Sequence, residues 1–437
     1  MPRGHYGLFP MFPRLASAIS VLTLVAAKLL PICAADSLDL LRNLDINSAP
    51  HRYYDRQPQD RFAKLRAALE TGHASLDRSS EKSFLESLLD ALEIPPTSQT
   101  LVFSTTSLQL SLITPANPRA IYFNEDTYLG FIPGGKIEII SIDPELGGMF
   151  YILEIPKPTA SPDASLAIER SRRCMNCHSG SESGYVPGLV IKSVVPGRTG
   201  GSLDAFRIDR TGHDIPLLDR FGGWYLTGEH RLTNHWANAI GQPKPGDKIS
   251  KIPVQPGERF SFSRYPVNTS DILPHLVHEH QAGFVNRVLQ AGYVARTYLH
   301  QSNGTLSAAQ KNELEKHAHE IVHYLLFTDE APLPAGGIKG DPAFVRDFTE
   351  NRRTDSTGAS LKAFDLTSRM FRHRCSYMVY SPLLDSLPIK DTVFELLKDA
   401  LESRNDLAAH IPAEEKKTIQ SILVATHPAF LATGSRP

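Results

Sequence analysis

One pentapeptide, Cys174-Met175-Asn176-Cys177-His178, constrains this chain more than any other segment does. Two cysteines separated by two residues can bond as thioethers to the two vinyl groups of one haem, and a histidine directly after the second cysteine can bind the iron. The motif therefore predicts one covalent haem c, held by Cys174 and Cys177, with His178 as an axial iron ligand.

Two other chemistries use a pair of cysteines at this spacing. A structural zinc site needs two more cysteines or histidines; the sequence has no second such pair, although its 17 histidines leave this possibility open. A thioredoxin-like pair starts a helix in a βαβ unit, which the Gly/Ser-rich flanking sequence does not resemble. The remaining cysteines, Cys33 and Cys375, are too few and too scattered for a disulfide scaffold, and we expect Cys375 to be a buried, inert thiol.

The first 35 residues have the features of a signal peptide. Arg3 and Arg14 precede an uncharged, mostly apolar run, residues 15–27, which Lys28 ends and which is shorter than the roughly 20 residues of a membrane span. Cys33-Ala34-Ala35 then offers a cleavage site, so we expect export to the periplasm or beyond. An uncleaved anchor and a lipid anchor on Cys33 are the alternatives, the latter preceded by a poor lipobox.

Hydrophobic periodicity divides the remaining chain into three zones and predicts an α+β fold. Residues 36–96 form a helical lead-in, in which a helix capped by Ser79 or Ser80 stops before Pro95-Pro96. Residues 97–268 form a β-rich, loop-rich and haem-binding region. Its period of two predicts a β-meander and is clearest at Leu108, Leu110 and Leu112. A further short strand is predicted over residues 189–195.

Residues 269–437 are predicted to be a helical region packed on the haem region. Its first helix should span about 271–298, with Ser270 as N-cap and with His280 on an otherwise apolar stripe. A capping box, Ser307 with Gln310, predicts the start of the second helix. Two more helices are expected around 393–397 and 419–423.

Composition excludes several classes of partner. Lys and Arg total 46 against 47 for Asp and Glu, and this balance gives no indication of nucleic-acid or membrane-surface binding. The hydrophobic content of 41% is that of a globular protein, with no transmembrane span expected after signal cleavage. No Ser/His/Asp array, P-loop or Rossmann glycine pattern is present.

The second axial position of the iron is open to several interpretations. Apart from Met175 inside the motif, the candidate methionines Met149, Met370 and Met378 are all distant in sequence. The candidate histidines form two groups, His230 with His235, and His278 with His280. His280 ranks first among the histidines because an unpaired imidazole on an apolar stripe is costly. The position can also stay open to water or substrate.

Haem propionates need cationic partners when they are buried. Arg172 and Arg173 directly precede Cys174, and Arg220 begins an aromatic, glycine-rich segment. These three arginines are the candidate propionate ligands.

Further segments accompany the pentapeptide: Tyr122-Phe123-Asn124, 128–131, Pro133-Gly134-Gly135, Asp143-Pro144, 148–151, 220–228, Glu279-His280-Gln281 and 375–378. Together they resemble an uncharacterised family of exported bacterial proteins with one c-type haem motif, over most of the chain after about residue 100. The resemblance implies covalent haem c, export, and a unit larger than a bare cytochrome domain. It also favours a role for His280, whereas residues 229–232 depart from the family pattern.

Two functions of different class follow. The preferred one is an exported electron-transfer cytochrome with six-coordinate iron and a redox partner protein. The alternative is a haem enzyme of peroxidase or oxidase type, whose open iron position would bind a small-molecule oxidant.

Overall fold

The computed structural model describes residues 37–157, 164–206, 211–246 and 248–431. The predicted signal peptide, with Cys33, lies outside these residues. Helices make up 36% and strands 15% of the chain, with the strands concentrated before residue 254 and most helical residues after residue 271. The α+β prediction, with a β-rich section before a mainly helical half, is confirmed.

Helices flank the strand-rich section on both sides in sequence. In chain order they are α1 (Ser37–Arg42), α2 (Arg61–Glu70), α3 (Glu81–Ala91), α4 (Met175–His178), α5 (Ile272–Gln301), α6 (Ala308–Leu325), α7 (Pro342–Thr349), α8 (Pro382–Asp385), α9 (Lys390–Leu401) and α10 (Ala413–Thr426). As predicted, Ser80 caps α3 and the capping box of Ser307 and Gln310 starts α6.

The first half of the chain contains one antiparallel sheet of seven strands and two separate two-stranded sheets. The strands are β1 (Thr100–Val102), β2 (Arg119–Phe123), β3 (Thr127–Phe131), β4 (Ile137–Asp143), β5 (Gly147–Leu153), β6 (Ile168–Arg170), β7 (Val194–Pro196), β8 (Ser202–Ala205), β9 (Trp224–Tyr225), β10 (Ala239–Lys244) and β11 (Lys248–Pro253). The sheet order is β6-β5-β4-β3-β2-β1-β9. The predicted meander is therefore confirmed, with β9 added beside β1.

Two strand predictions differ from the structure. Leu108, Leu110 and Leu112 lie in a loop of turns between β1 and β2, and their side chains are exposed. Asn117 closes this loop by donating to the carbonyl of Leu112, so the leucines have no neighbouring strand to pair with. In residues 189–195 only the end is extended, as the start of β7. Alternation shows that one face is apolar, but a strand also needs a hydrogen-bonded neighbour.

The sheet separates two hydrophobic cores. Side chains alternate along each strand, so Ile137 and Ile139 of β4 pack into the core shared with α2 and α3. Ile140 and Ile142 point the other way, into the larger core formed by α5 and the C-terminal helices. His178 of the pentapeptide lies on this second side, where its ring packs on Phe150, whereas Met175 packs against the first core.

Helix α5 begins one residue later than predicted and is buried almost all round. Asp271 is its N-cap and accepts a hydrogen bond from the backbone N–H of Leu273. Ser270 instead joins the helix to the sheet, because its Oγ accepts from the N–H of Leu101 at 2.9 Å and donates to the carbonyl of Tyr225 at 2.7 Å. The start of α5 is thereby fixed against β1 and β9.

A buried histidine joins the lead-in to the far end of α5. His51 Nε2 lies 2.9 Å from Thr297 Oγ1, and its ring stacks on Tyr293 with 4.4 Å between the centroids. Burial, with smaller contributions from the charges of Arg296 and Arg56, lowers the pKa of His51 to about 4. The folded chain therefore keeps this imidazole neutral where an unfolded chain would protonate it.

We predict that this histidine contributes to acid sensitivity. Between pH 6.5 and 4 the unfolded state binds a proton at His51 and the folded state does not. The free energy of unfolding should therefore fall with decreasing pH by about 1.4 kcal/mol per pH unit for this group. In His51→Gln this part of the slope should disappear, as measured by urea unfolding at several pH values. The exposed control His323→Gln should keep the full slope, and an unchanged slope in His51→Gln would contradict the assignment.

Candidate haem-binding site

The pentapeptide forms one helical turn, which brings its three functional side chains together. The backbone N–H groups of Cys177 and His178 donate to the carbonyl of Cys174 at 3.2 and 3.0 Å. In a helix, residues three and four positions apart are neighbours, so Cys174 adjoins both Cys177 and His178 on this turn. Both cysteines are free thiols; Cys174 is half-buried and Cys177 is exposed.

The surroundings of this turn differ from those of a thioredoxin-like pair. Helix α4 is a single turn after the antiparallel strand β6, and no βαβ unit precedes or follows it in the described chain. Burial raises the pKa of Cys174, although a hydrogen bond with Ser171 opposes this. A thiol-disulfide enzyme needs a lowered thiol pKa, so Cys174 lacks the expected activation.

The structure also gives no support to half of a zinc site. Across the residues that the structure describes, no three side chains of His, Cys, Asp or Glu are grouped so that they could hold a metal ion. Structural zinc needs four such ligands.

His178 is oriented by a backbone hydrogen bond. Its Nδ1 lies 3.0 Å from the carbonyl oxygen of Gly188, and the N–H of Gly188 donates back to the carbonyl of His178 at 2.9 Å. A carbonyl can only accept, so Nδ1 carries the proton and Nε2 keeps its lone pair. Within the described residues Nε2 has no hydrogen-bond partner. Burial lowers the pKa of His178, and its ring packs on Phe150 with 5.0 Å between the centroids.

The Gly188 carbonyl is in turn held by β5 and α5. The carbonyl of Pro187 accepts from the N–H of Gly148, and the side chain of Asn286 bonds both the N–H and the carbonyl of Leu189, each at 2.8 Å. A Cβ at position 188 would lie 2.4 Å from Asn286 Oδ1, so the close approach requires glycine. This arrangement fixes the histidine as outer-shell partners of metal ligands do.

Arg119 at the start of β2 lies near His178 with an unused donor. Its Nη1 is 2.9 Å from Glu138 Oε2, and Glu138 Oε1 accepts from Ser107 and Gln109. Arg119 Nε is buried and has no hydrogen-bond partner among the described residues. The charge of Arg119 also acts to lower the pKa of His178, after burial. An unpaired buried N–H is costly, and an anionic group such as a propionate would satisfy it.

These features fit haem c. Two free thiols and an imidazole lie on one helical turn, the imidazole presents an unprotonated Nε2, and a buried guanidinium N–H lacks an acceptor among the described residues. Sequence reasoning missed Gly188, which contributes only backbone groups, and Arg119, which becomes relevant only through strand pairing.

The three arginines predicted from the sequence lie in two places. Arg172 and Arg173 are exposed beside the motif, and the guanidinium of Arg172 lies 4.3 Å from the ring centroid of Tyr54. Arg220 is buried elsewhere, with Nε and Nη2 donating to the carbonyls of Ile215 and His213. The structure thus brings Arg172 and Arg173 to the motif, while Arg220 as a propionate ligand stays a prediction without such proximity.

His280 belongs to the helical core. Its Nδ1 is 2.7 Å from Nδ1 of His213 and its Nε2 is 2.7 Å from Ser376 Oγ, so both ring nitrogens are engaged. The ring stacks on Phe327 at 4.6 Å, and burial lowers its pKa to about 3. The structure does not bring His280 to His178, and its predicted role as an iron ligand remains untested.

The other candidates for the second axial position are also dispersed. His230 and His235 contact each other in a loop, with 5.0 Å between the centroids. The three candidate methionines are buried in the cores: Met149, Met370 and Met378. Met149 points to the sheet face opposite Phe150, and therefore away from His178. Cys375 is buried as expected.

Comparison of the chain with family models, with curated proteins and with solved structures gave no match. Among the described helices, none combines the length and the apolar character that crossing a membrane requires.

We predict that Asn286→Ala destabilises the protein, because it leaves two buried backbone groups of Leu189 unpaired. The free energy of unfolding should fall by about 3 kcal/mol in urea titrations of the haem-loaded chain. Gln290→Ala, on the same helix and without a hydrogen bond in the described structure, should cost less than about 1 kcal/mol. Equal effects of the two changes would mean that the Asn286 hydrogen bonds contribute little.

Proposed function

We propose that this chain is an exported c-type haem protein that transfers electrons through one covalently attached haem. The observation that carries the proposal is the helical turn of the pentapeptide, with His178 Nδ1 bonded to the Gly188 carbonyl and Nε2 left available. The haem would supply reversible one-electron oxidation and reduction of its iron.

Several residues of the chain would hold the haem. Cys174 and Cys177 would form the thioether links, and His178 would bind the iron through Nε2. The Nε of Arg119, which has no partner among the described residues, would bind a propionate, and the exposed Arg172 and Arg173 would assist at the surface.

Exposure of the second cysteine supports transfer to a partner. Cys177 is exposed, so the haem edge bonded to it would lie at the protein surface. A redox partner protein could then approach that edge without any opening of the fold. The periplasm or cell exterior is the compartment we propose, on the basis of the signal peptide predicted from the sequence.

An enzyme of peroxidase or oxidase type is the second candidate. It is favoured by the placement of Met149, Met370 and Met378, which are buried in the two cores. An iron position left open would bind a small-molecule oxidant.

Covalent attachment is tested by mass. When the chain is produced with cytochrome c maturation factors, its mass should increase by one haem that survives denaturation. The double variant Cys174→Ser/Cys177→Ser should lose this increment, while Cys375→Ala, which removes the thiol outside the motif, should keep it. A wild-type chain without the increment would overturn the proposed function.

The carrier and the enzyme differ in their reaction with carbon monoxide. A six-coordinate carrier should show an unchanged ferrous absorption spectrum after addition of carbon monoxide at neutral pH, and no turnover of peroxide. A prompt carbonyl spectrum together with peroxide turnover would replace the carrier by the enzyme.

A further inference from the structure

A second histidine packs on the same face of the sheet as His178. Tyr128, Ile140 and Phe150 are paired side by side across β3, β4 and β5, so their side chains share one face. His278 of α5 packs on Tyr128 with 5.3 Å between the centroids, and His178 packs on Phe150 at 5.0 Å. Paired strands are about 5 Å apart, so the two supports are about 10 Å apart. Half-buried Ile140 lies between them.

His278 is packed by aromatic rings and not by hydrogen bonds. Its side chain is only 6% exposed and stacks on Phe123, 5.1 Å away between centroids. Neither ring nitrogen makes a hydrogen bond with any described residue. The nitrogen that carries no proton therefore keeps its lone pair available to another partner.

The other histidines of the same helix segment do have partners. His275 Nε2 lies 3.2 Å from Ser270 Oγ, and His280 is engaged through both nitrogens. His278 and His280 are two positions apart and therefore point to nearly opposite sides of the helix. Only His278 of the three combines a position over the haem side of the sheet with unbonded nitrogens.

Arg119 lies on the same face of the sheet as these aromatic supports. Side chains alternate along β2, so Arg119 shares a face with Phe123, which stacks on His278. Its Nη1 lies 2.9 Å from Glu138 Oε2.

We infer that His278 is the second axial ligand of the haem iron held by His178. This inference rests on the proposed function. Ile140, between the two aromatic supports, would line the haem, and Arg119 Nε would bind a propionate. A second imidazole makes the iron six-coordinate and closes it to small oxidants, which favours the carrier over the enzyme.

The test is spectroscopic and uses the haem-loaded full chain. The wild-type ferric protein should be low-spin, with the near-infrared magnetic circular dichroism band of two imidazole ligands. His278→Ala should become high-spin and bind carbon monoxide in the ferrous form, and added imidazole should restore the low-spin spectrum. His280→Gln, two positions along the same helix, should stay low-spin.

The outcomes separate the two proposals. Covalent haem with an unchanged low-spin spectrum in His278→Ala would overturn the ligand assignment and leave the proposed function intact. A chain without covalent haem would overturn the proposed function itself. If His278→Ala does not fold, the wild-type spectrum still decides, because a methionine-ligand band or a high-spin ferric state would exclude His278.

Discussion

The site depends on one hydrogen bond, from His178 Nδ1 to the carbonyl of Gly188. This bond keeps the proton of the imidazole on Nδ1, orients Nε2 and holds the ring against Phe150. A backbone carbonyl is a dependable acceptor only where the backbone itself is fixed, and the side chain of Asn286 supplies that constraint at Leu189. The geometry of a five-residue motif is therefore decided by residues ten and more than a hundred positions away.

The two faces of the sheet differ in what covers them. One face packs on α2 and α3, and the other packs on α5 and on His178 of the pentapeptide. The face toward His178 presents Arg119 and Glu138 among half-buried apolar residues, because side chains alternate along each strand.

The sequence predicted those features that depend on residues close together in the chain. Capping residues and helical periodicity identified α3, α5 and α6. The rest depended on contacts between distant segments. Gly188 has no side chain to attract notice, and Arg119 matters only through its place in the sheet. An amphipathic stripe could not separate His278 from His280 because α5 is buried on nearly every side. Leu108, Leu110 and Leu112 alternate as a strand would, yet no strand pairs with them.

The tight approach of Gly188 to Asn286 has a consequence for any attempt to isolate or transplant the pentapeptide. A fragment that retains the pentapeptide but ends before α5 would keep the two thiols and lose the clamp that orients the imidazole. The pentapeptide alone therefore does not carry the geometry of the site. Recombination or protein engineering that moves it to another scaffold must also carry the meander and the long helix.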